Sequence, residues 1–319
     1  MRLSQAQLEQ YFEDGFLIVE DVFAPGDLQP AMDDIADLVD LFAERLYAAG
    51  RIRDKHEDKD FHHRLAAIEK EHPETSVLIH QYSVLPRALA ELWSCDALVE
   101  MISQIVGPDI AGHPIWNIRS KTPQTRRMTV PWHQDTAYLL QGAETTLQPT
   151  AWIPFEDIDR EIGALQVIRG GHKPGQVYEH YKERSVGHAK SWYLFIPEGD
   201  LPADRIVTCE MKLGSVLLLN QLIPHRSLEN FSDKVRWSVD LRWQDPKLPT
   251  GVEGHSEPIV MRKASDPDWR PDWDAWVAAE IERQKVWRGR AGGGEFNLDI
   301  DGGWLERWQQ PVPQGARIE

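Results

Sequence analysis

Residues 236–244 read Arg-Trp-Ser-Val-Asp-Leu-Arg-Trp-Gln, an unbroken alternation of polar and apolar residues. Because successive side chains of a β-strand point to opposite faces, the polar residues share one face and the apolar residues share the other. The stretch is therefore predicted to form a strand whose apolar face lies in the core. Its polar face either meets solvent or lies inside a β-barrel, where Arg236 would require an anionic partner such as a dicarboxylate. Spacing alone leaves both interpretations open.

The chain before this strand begins with a helical part. Apolar residues recur there at helical spacing, and Ser4 with Gln7 forms a capping box at the first helix. Helices are predicted at residues 4–11, 27–49 and 85–105, and a short strand at 16–19.

From about Ile110 the chain becomes rich in Val, Ile, Trp and Thr, in short segments separated by Pro and Gly. Strands are predicted at 114–119, 128–135, 150–156, 164–168, 205–210 and 215–220. Short strands in succession, without long helices between most of them, favour a sandwich or barrel over a parallel α/β sheet. The expected fold is mainly β with flanking helices.

Composition excludes several classes of function. The chain has 319 residues, with 35 Lys and Arg against 51 Asp and Glu, giving a net charge of −16. This balance argues against nucleic acid as a partner, because phosphate binding depends on Lys and Arg clusters. Two cysteines are too few for a disulfide framework, and no apolar run is long enough for a membrane span or signal core. A cytoplasmic protein that binds a small molecule, without a membrane partner, is expected.

The last part of the chain has a different composition. Six of the 13 tryptophans follow Pro246, namely Trp269, Trp273, Trp276, Trp287, Trp304 and Trp308. A glycine-rich joint, residues 291–294, interrupts this tail. Residues 1–246 are predicted to form the main domain, and residues 247–319 a Trp-rich appendage packed on that same domain.

The residues His133-Gln134-Asp135 stand at the end of a predicted strand. In a strand, His133 and Asp135 share a face, which brings an imidazole beside a carboxylate. Two imidazoles and one carboxylate form the facial triad of non-haem Fe(II) oxygenases. Taken alone, the pair is more simply explained as a surface histidine beside an aspartate that caps a turn.

His225 is the best candidate for the third ligand. It follows an apolar strand, and the preceding Pro224 restricts the backbone that directs it. The alternative is a buried histidine that is hydrogen-bonded to a backbone carbonyl.

Taken together, these residues resemble the phytanoyl-CoA dioxygenase-like family of Fe(II)/2-oxoglutarate oxygenases. The resemblance spans residues 3–244 and rests on the order and spacing of several segments. They are Leu3–Gln7 with Asp14–Val19, Trp132–Asp135, Trp152–Asp157, Gly163–Lys173, and Pro224–Ser227 followed by Asn230 and Arg236. Arg236 lies 236 − 225 = 11 residues after His225, the offset expected in this family.

The resemblance implies a double-stranded β-helix, a jelly-roll or cupin-like core flanked by helices. It also implies that His133, Asp135 and His225 bind Fe(II), with 2-oxoglutarate and O₂ as cosubstrates. The residues expected to contact 2-oxoglutarate are Arg236, which pairs with the distal carboxylate, and Ser227, Trp152 and Asn117.

The chain departs from the family in two places. Residues 169–172 read Arg-Gly-Gly-His where the family often has Pro-Gly-Ser-His, a loop change expected to leave catalysis unaffected. Some members bind 2-oxoglutarate through a lysine well upstream of the iron ligands, and this chain offers His80 and Gln81 there. The pocket rim is expected to include Arg119, Lys121 and Tyr138.

The expected reaction is hydroxylation of a C–H bond in a small organic molecule, with release of succinate and CO₂. Asp135 favours hydroxylation over halogenation, because halogenases that resemble this family have a small residue at this position. Desaturation, epoxidation and ring formation use the same ligands. One alternative is a jelly-roll metal protein, such as a cupin-like isomerase or hydrolase, and another is a binding module built on the Trp-rich tail. Arg236 discriminates, because only 2-oxoglutarate requires an anion-binding arginine beside the metal. The substrate and the oligomeric state are not predicted.

Overall fold

The computed structural model describes residues 1–73, 75–81, 84–125, 128–140, 142–182, 193–252, 257–291 and 316–317. Within these residues the protein consists mainly of antiparallel β-sheets, accompanied by several helices. No helix in this part of the chain is both long and apolar enough to cross a lipid bilayer.

Helix α1 (Gln5–Asp14) begins where the capping box predicts and extends three residues beyond the predicted end at Tyr11. The Ser4 hydroxyl accepts a hydrogen bond from the Gln7 N–H, and the Gln7 side chain accepts one from the Ser4 N–H. Gly15 follows with a φ of 83°, the left-handed conformation that favours glycine at a helix end. The chain then enters strand β1 (Phe16–Val19).

The other helices of the N-terminal part are α2 (Gln29–Ala48), α3 (Arg64–Glu71), α4 (Thr75–Gln81), α5 (Arg87–Trp93) and α6 (Asp96–Val106). The single helix expected at 85–105 is therefore two helices. Cys95 lies between them in an extended conformation, which interrupts the helical hydrogen-bond ladder. The apolar faces of these helices form one large core with the β-sheet.

The strands after β1 are β2 (Ile110–Gly112), β3 (Asn117–Lys121), β4 (Thr150–Pro154), β5 (Leu165–Ile168), β6 (His180–Lys182), β7 (Leu194–Phe195), β8 (Ile206–Cys209), β9 (Val216–Leu219), β10 (His225–Ser227), β11 (Arg236–Gln244), β12 (Ile259–Arg262) and β13 (Ala316–Arg317). The largest sheet has the order β1-β9-β4-β11-β2-β12, and β3 also pairs with β11. Two smaller sheets have the orders β10-β5-β8 and β13-β6-β7.

Strand β11 organises the largest sheet and has the predicted bounds. It pairs antiparallel with both β3 and β4, and all of its residues are buried. Its tryptophans, Val239 and Leu241 belong to the core shared with the helices. Its polar face is therefore inside the protein rather than in solvent.

The sheet β10-β5-β8 faces the largest sheet. Leu165 and Val167 of β5 belong to the same apolar cluster as Trp152 of β4 and Leu217 and Leu219 of β9. Strand β10 pairs with β5 in register His225 to Val167, so His225 stands at the edge of this second sheet. The fold thus brings the polar face of β11 near the start of β10.

The strand expected at 128–135 is not formed. Only His133 pairs with a strand, through an isolated antiparallel bridge to His225, and a 3₁₀ turn begins at Asp135. Pro131 has no N–H to donate to a ladder, which explains why the segment does not extend as a regular strand.

The described part of the C-terminal segment packs on the same core. Strand β12 pairs with β2 at the edge of the largest sheet, and helix α7 (Trp273–Ala291) follows it. Trp273 stacks on Trp93 of α5 with ring centroids 5.8 Å apart. The boundary predicted at residue 246 stays a prediction. Trp304, Trp308 and the side chain of Trp287 lie outside the described residues.

Candidate metal centre and adjoining pockets

His133, Asp135 and His225 meet between the two facing sheets. One nitrogen or oxygen atom from each residue lies within 4.8 Å of the other two. Asp135 Oδ1 is 3.6 Å from His133 Nε2 and 3.9 Å from His225 Nε2. Reciprocal backbone hydrogen bonds of 3.0 and 2.9 Å between the histidines fix this approach, because each N–H donates to the carbonyl of the other.

The two imidazoles are oriented by their own backbone. His133 Nδ1 donates to the Pro131 carbonyl at 2.9 Å, and His225 Nδ1 donates to the Ile223 carbonyl at 3.0 Å. Because a carbonyl can only accept, Nδ1 carries a proton in each ring, and in the neutral form Nε2 has a lone pair directed at the centre. The hydrogen bond to a backbone carbonyl, which was the alternative interpretation of His225, therefore uses only one ring nitrogen. The other nitrogen is left for a ligand.

Asp135 presents one oxygen to the centre and uses the other to hold its position. Its Oδ2 accepts hydrogen bonds from Arg242 Nε at 3.1 Å, Arg242 Nη2 at 3.0 Å and Thr150 Oγ1 at 3.1 Å. Thr150 and Arg242 are direct cross-strand neighbours on β4 and β11. The sheet thereby fixes the carboxylate with Oδ1 toward both histidines.

The protonation states of His225 and Asp135 suit a divalent metal. Burial, together with the nearby His133, lowers the pKa of His225 to about 4, so this ring is neutral near pH 7. Burial opposes charge on Asp135, but Arg242 and the two histidines outweigh it and hold the pKa of the carboxyl well below its usual range. The centre therefore combines a carboxylate with a neutral imidazole at His225.

A cavity of about 520 Å³, partly open to solvent, adjoins the centre and is called the Arg236 pocket here. Arg236 is buried at its wall, donates to the Gly163 carbonyl at 2.8 Å and lies over the Trp152 ring at 5.2 Å. Its Nε is buried without a hydrogen-bond partner among the described residues. Burial lowers the pKa of Arg236 to about 10, so the guanidinium remains charged at neutral pH. The pocket thus contains a cation with an unsatisfied donor.

Lys121 is a second buried basic residue of the Arg236 pocket. Its Nζ donates to Ser227 Oγ at 2.6 Å and to the Leu228 carbonyl. Burial and the neighbouring Arg236 hold the pKa of Lys121 well below its usual value. Lys121 lies directly opposite Arg236 in the register of β3 and β11, which explains why the two basic side chains share one cavity.

A second cavity, of about 580 Å³ and also partly open, lies on the other side of the centre and is called the Asn117 pocket. It shares residues Arg119, Val130, His133, Asp135 and Arg242 with the Arg236 pocket. The two cavities therefore meet at His133 and Asp135, two of the candidate metal ligands.

The structure distributes the other expected site residues between these pockets. Ser227 and Trp152 line the Arg236 pocket, whereas Asn117, Tyr138 and His80 line the Asn117 pocket. The side chain of Gln81 lies outside the described residues.

Sequence reasoning missed the place of Lys121 in the Arg236 pocket and assigned it to the rim. Alternation along β3 puts Asn117, Arg119 and Lys121 on one face, but the strand is predicted to end at residue 119, before Lys121.

Comparison with known proteins identifies the family of the chain. Residues 11–238 match the phytanoyl-CoA dioxygenase (PhyH) family. Bovine (Bos taurus) peroxisomal phytanoyl-CoA dioxygenase is 24% identical over 287 residues, covering 83% of this chain and 75% of that protein. The 1-deoxypentalenic acid 11-beta-hydroxylase of Streptomyces arenae is 29% identical over 164 residues, covering 48% of this chain and only 56% of that protein.

The fold is similar to that of a solved non-haem monooxygenase, ThoJ. The two structures agree with a TM-score of 0.58 at 16% sequence identity, over 89% of this chain and 98% of ThoJ. The family match covers most of the chain and includes the three metal-binding candidates and Arg236. This chain therefore belongs to the phytanoyl-CoA dioxygenase family of 2-oxoglutarate-dependent non-haem iron oxygenases.

Proposed function

We propose that this protein hydroxylates a C–H bond of a small organic molecule, using Fe(II), 2-oxoglutarate and O₂ and releasing succinate and CO₂. The proposed iron ligands are His133, Asp135 and His225, on a double-stranded β-helix core. The observation that carries the proposal is the buried Arg236 guanidinium, whose Nε has no partner among the described residues and whose pocket opens on the three ligands.

The Arg236 pocket has the charge that a dicarboxylate requires. Burying a charged side chain without a counter-ion is costly, so Arg236 favours an anion in the pocket, and an anion there would in turn favour the charged form of Lys121. The distal carboxylate of 2-oxoglutarate would accept from both, while the Ser227 hydroxyl and the Trp152 ring shape the wall. The keto-acid end would then extend toward the metal ligands.

The three ligands suit Fe(II). Two imidazole nitrogens and one carboxylate oxygen leave coordination positions open for 2-oxoglutarate and O₂. When bound, the iron and 2-oxoglutarate supply the O₂-derived oxidant that removes a hydrogen atom from the substrate and returns a hydroxyl group. The chain orients this chemistry: Arg242 and Thr150 hold Asp135, and the Asn117 pocket positions the substrate beside the centre.

Hydroxylation is the outcome best supported by the comparisons. The Streptomyces relative is named as a hydroxylase, and the two proteins match over about half of this chain. Asp135 occupies the position that a halogenase would leave free for halide. Product analysis distinguishes hydroxylation from desaturation, epoxidation and ring closure.

The test is an anaerobic titration of the purified protein with Fe(II) and 2-oxoglutarate, monitored through the weak visible charge-transfer band of the chelate. We expect the wild type to form the band, H133A to lose it, and R236A to require at least tenfold more 2-oxoglutarate, since a charge-assisted bond contributes about 1.5–3 kcal/mol. R160A is the matched control, because Arg160 lies at the surface and bonds only Thr208 among the described residues.

A band that is unaffected by both H133A and R236A would refute the site assignment. Metal binding without any 2-oxoglutarate chelate would instead indicate a jelly-roll metal protein without oxygenase activity. Succinate release during a screen of small molecules then identifies substrates.

A further inference from the structure

Arg119 has no role in the proposed iron or 2-oxoglutarate sites, although it lines both pockets. It lies in the middle of β3, between Asn117 and Lys121 on the same face. Its Nε donates to Asp240 Oδ2 at 2.7 Å, the only hydrogen bond or ion pair it makes within the described residues. Its two terminal amino groups are thus available to a ligand, on a guanidinium whose orientation Asp240 fixes.

The charges around Arg119 form a chain that ends at this guanidinium. Asp135 pairs with Arg242 at 3.0 Å, Arg242 lies 3.9 Å from Asp240, and Asp240 pairs with Arg119 at 2.7 Å. Two carboxylates and two guanidiniums cancel along this chain. Because both carboxylates are already engaged, the outward side of Arg119 faces the cavity without an anion of its own.

The other residues that line the Asn117 pocket also favour an anion over a cation. Its described lining includes three histidines, two arginines and a single carboxylate, Asp135, which is bonded to Arg242. An ammonium group would find no free carboxylate there, whereas an anion would find Arg119. Ile115, Val130 and Leu139 supply apolar surface on the same cavity. The cavity therefore combines one anion-binding group with an apolar wall.

The distal carboxylate of the cosubstrate does not account for Arg119. In the proposed site that carboxylate goes to Arg236 and Lys121, and the keto-acid end goes to the metal. The carboxylate at the metal offers Arg119 at most its second oxygen, which leaves the cavity side of the guanidinium for another anion. We propose that the substrate is an apolar organic acid whose carboxylate binds the Arg119 guanidinium in the Asn117 pocket. This inference rests on the proposed function only in identifying the ligand of this pocket as the substrate.

The test uses matched pairs of probes that differ only in charge: cyclohexanecarboxylate, 4-phenylbutanoate and decanoate, each with its primary amide. Binding to the protein loaded anaerobically with Fe(II) and 2-oxoglutarate is measured by calorimetry, so no turnover is required. We expect at least one acid to bind the wild type tenfold or more tightly than its amide. R119Q should lose that preference, R119K should retain part of it, and amide binding should not change. R160Q is the control and should retain the full preference.

Equal binding of acids and amides to the wild type, or a preference that survives in R119Q, overturns the inference. So does an R119Q variant that is altered only in its 2-oxoglutarate titration, because Arg119 would then serve the cosubstrate. I115D provides a second variant if R119Q does not fold: a carboxylate on the wall of the same cavity should weaken acid binding at least tenfold, and unchanged binding counts against the inference. The visible band of the iron chelate reports on the proposed function separately, so the two can fail independently.

Discussion

Arg242 is not a proposed metal ligand, but it determines which oxygen of Asp135 is left to bind the metal. Both its Nε and its Nη2 donate to the same oxygen of Asp135, and Asp240 lies 3.9 Å away. The guanidinium therefore occupies one carboxylate oxygen and leaves the other for the metal. A buried carboxylate without such a partner would be costly to keep charged.

We expect R242Q to weaken Fe(II) binding by about 10–100-fold, the usual loss when a partner that orients a metal ligand is removed. R242K keeps the charge but loses the paired Nε and Nη2 donors, so its Fe(II) affinity should lie between those of R242Q and the wild type. Affinity is measured anaerobically by competition with a chromophoric chelator, with R160Q as the control. An R242Q affinity within twofold of the wild type would contradict a positioning role for Arg242.

The individual site residues differ in how far sequence could predict them. His133, Asp135, His225 and Arg236 have the roles that the family resemblance implies, and in the structure all four line one pocket. Lys121 was not assigned to the pocket of Arg236, because its position depends on the register between β3 and β11 rather than on any local motif. A strand expected to end at residue 119 gave no reason to extend the alternation to Lys121.

At the scale of elements, alternation predicted where strands form but not whether each face of a strand is buried or exposed to solvent. The bounds of β11 follow from its pattern, yet the same pattern allowed a solvent face or an interior face. The segment 128–135 had strand-like composition, but Pro131 and the 3₁₀ turn at Asp135 leave it with a single bridge. The histidine and aspartate still share a site, because the bridge to His225 takes the place of a full ladder.

Strand β6 holds the backbone between two proposed iron ligands. The buried His180 of β6 accepts from the Gln134 N–H at 3.0 Å and donates to the Tyr178 carbonyl at 2.7 Å. The Gln134 side chain donates to the Leu222 carbonyl and accepts from the Tyr178 N–H. A protonated His180 could not accept from Gln134, so this anchor requires the neutral ring.

This arrangement predicts a stability that falls in acid. Burial lowers the pKa of His180 from 6.5 to about 4, so the unfolded chain binds the proton more readily than the folded one. The stabilisation is present above pH 6.5 and is lost as the pH falls toward 4, by about 2 kcal/mol between pH 7 and pH 5. H180Q should be less stable at neutral pH but should lose about 2 kcal/mol less over that interval. Urea unfolding of the metal-free protein at both pH values measures this, with H63Q as a half-exposed control, and parallel pH slopes for H180Q and the wild type would disprove the assignment.

At the scale of the whole molecule, the class of the fold could be predicted and its connections could not. A succession of short strands indicated a mainly β architecture. The pairing of β1 with β9 joins Phe16 to Leu219, and nothing local in either segment specifies the other. Such pairings are decided by how the sheets and helices pack together, and the N-terminal strand thereby closes one side of the largest sheet.

The contacts of the C-terminal tryptophans indicate whether the C-terminal segment is a structural appendage or a wall of the site. Trp273 is buried, stacks on Trp93 and donates through Nε1 to Ser94 Oγ at 3.2 Å, while Trp276 packs edge-on against both rings. Neither Trp273 nor Trp276 lines the Asn117 pocket or the Arg236 pocket. Their contacts therefore stabilise the attachment of α7 to α5 rather than the ligand sites.

We expect W273A to lower the free energy of unfolding by about 3–5 kcal/mol, the usual loss for a buried tryptophan, because it leaves a cavity beside Trp93. F231A, at a side chain that is 62% exposed, should change stability by less than about 0.5 kcal/mol. Urea unfolding gives both values. The anaerobic iron and 2-oxoglutarate titration, carried out at a temperature where W273A is folded, should match the wild type, because the cluster contributes no side chain to either pocket. A folded W273A with weakened chelate formation or altered binding of the carboxylate probes would show instead that the C-terminal segment forms part of the active site.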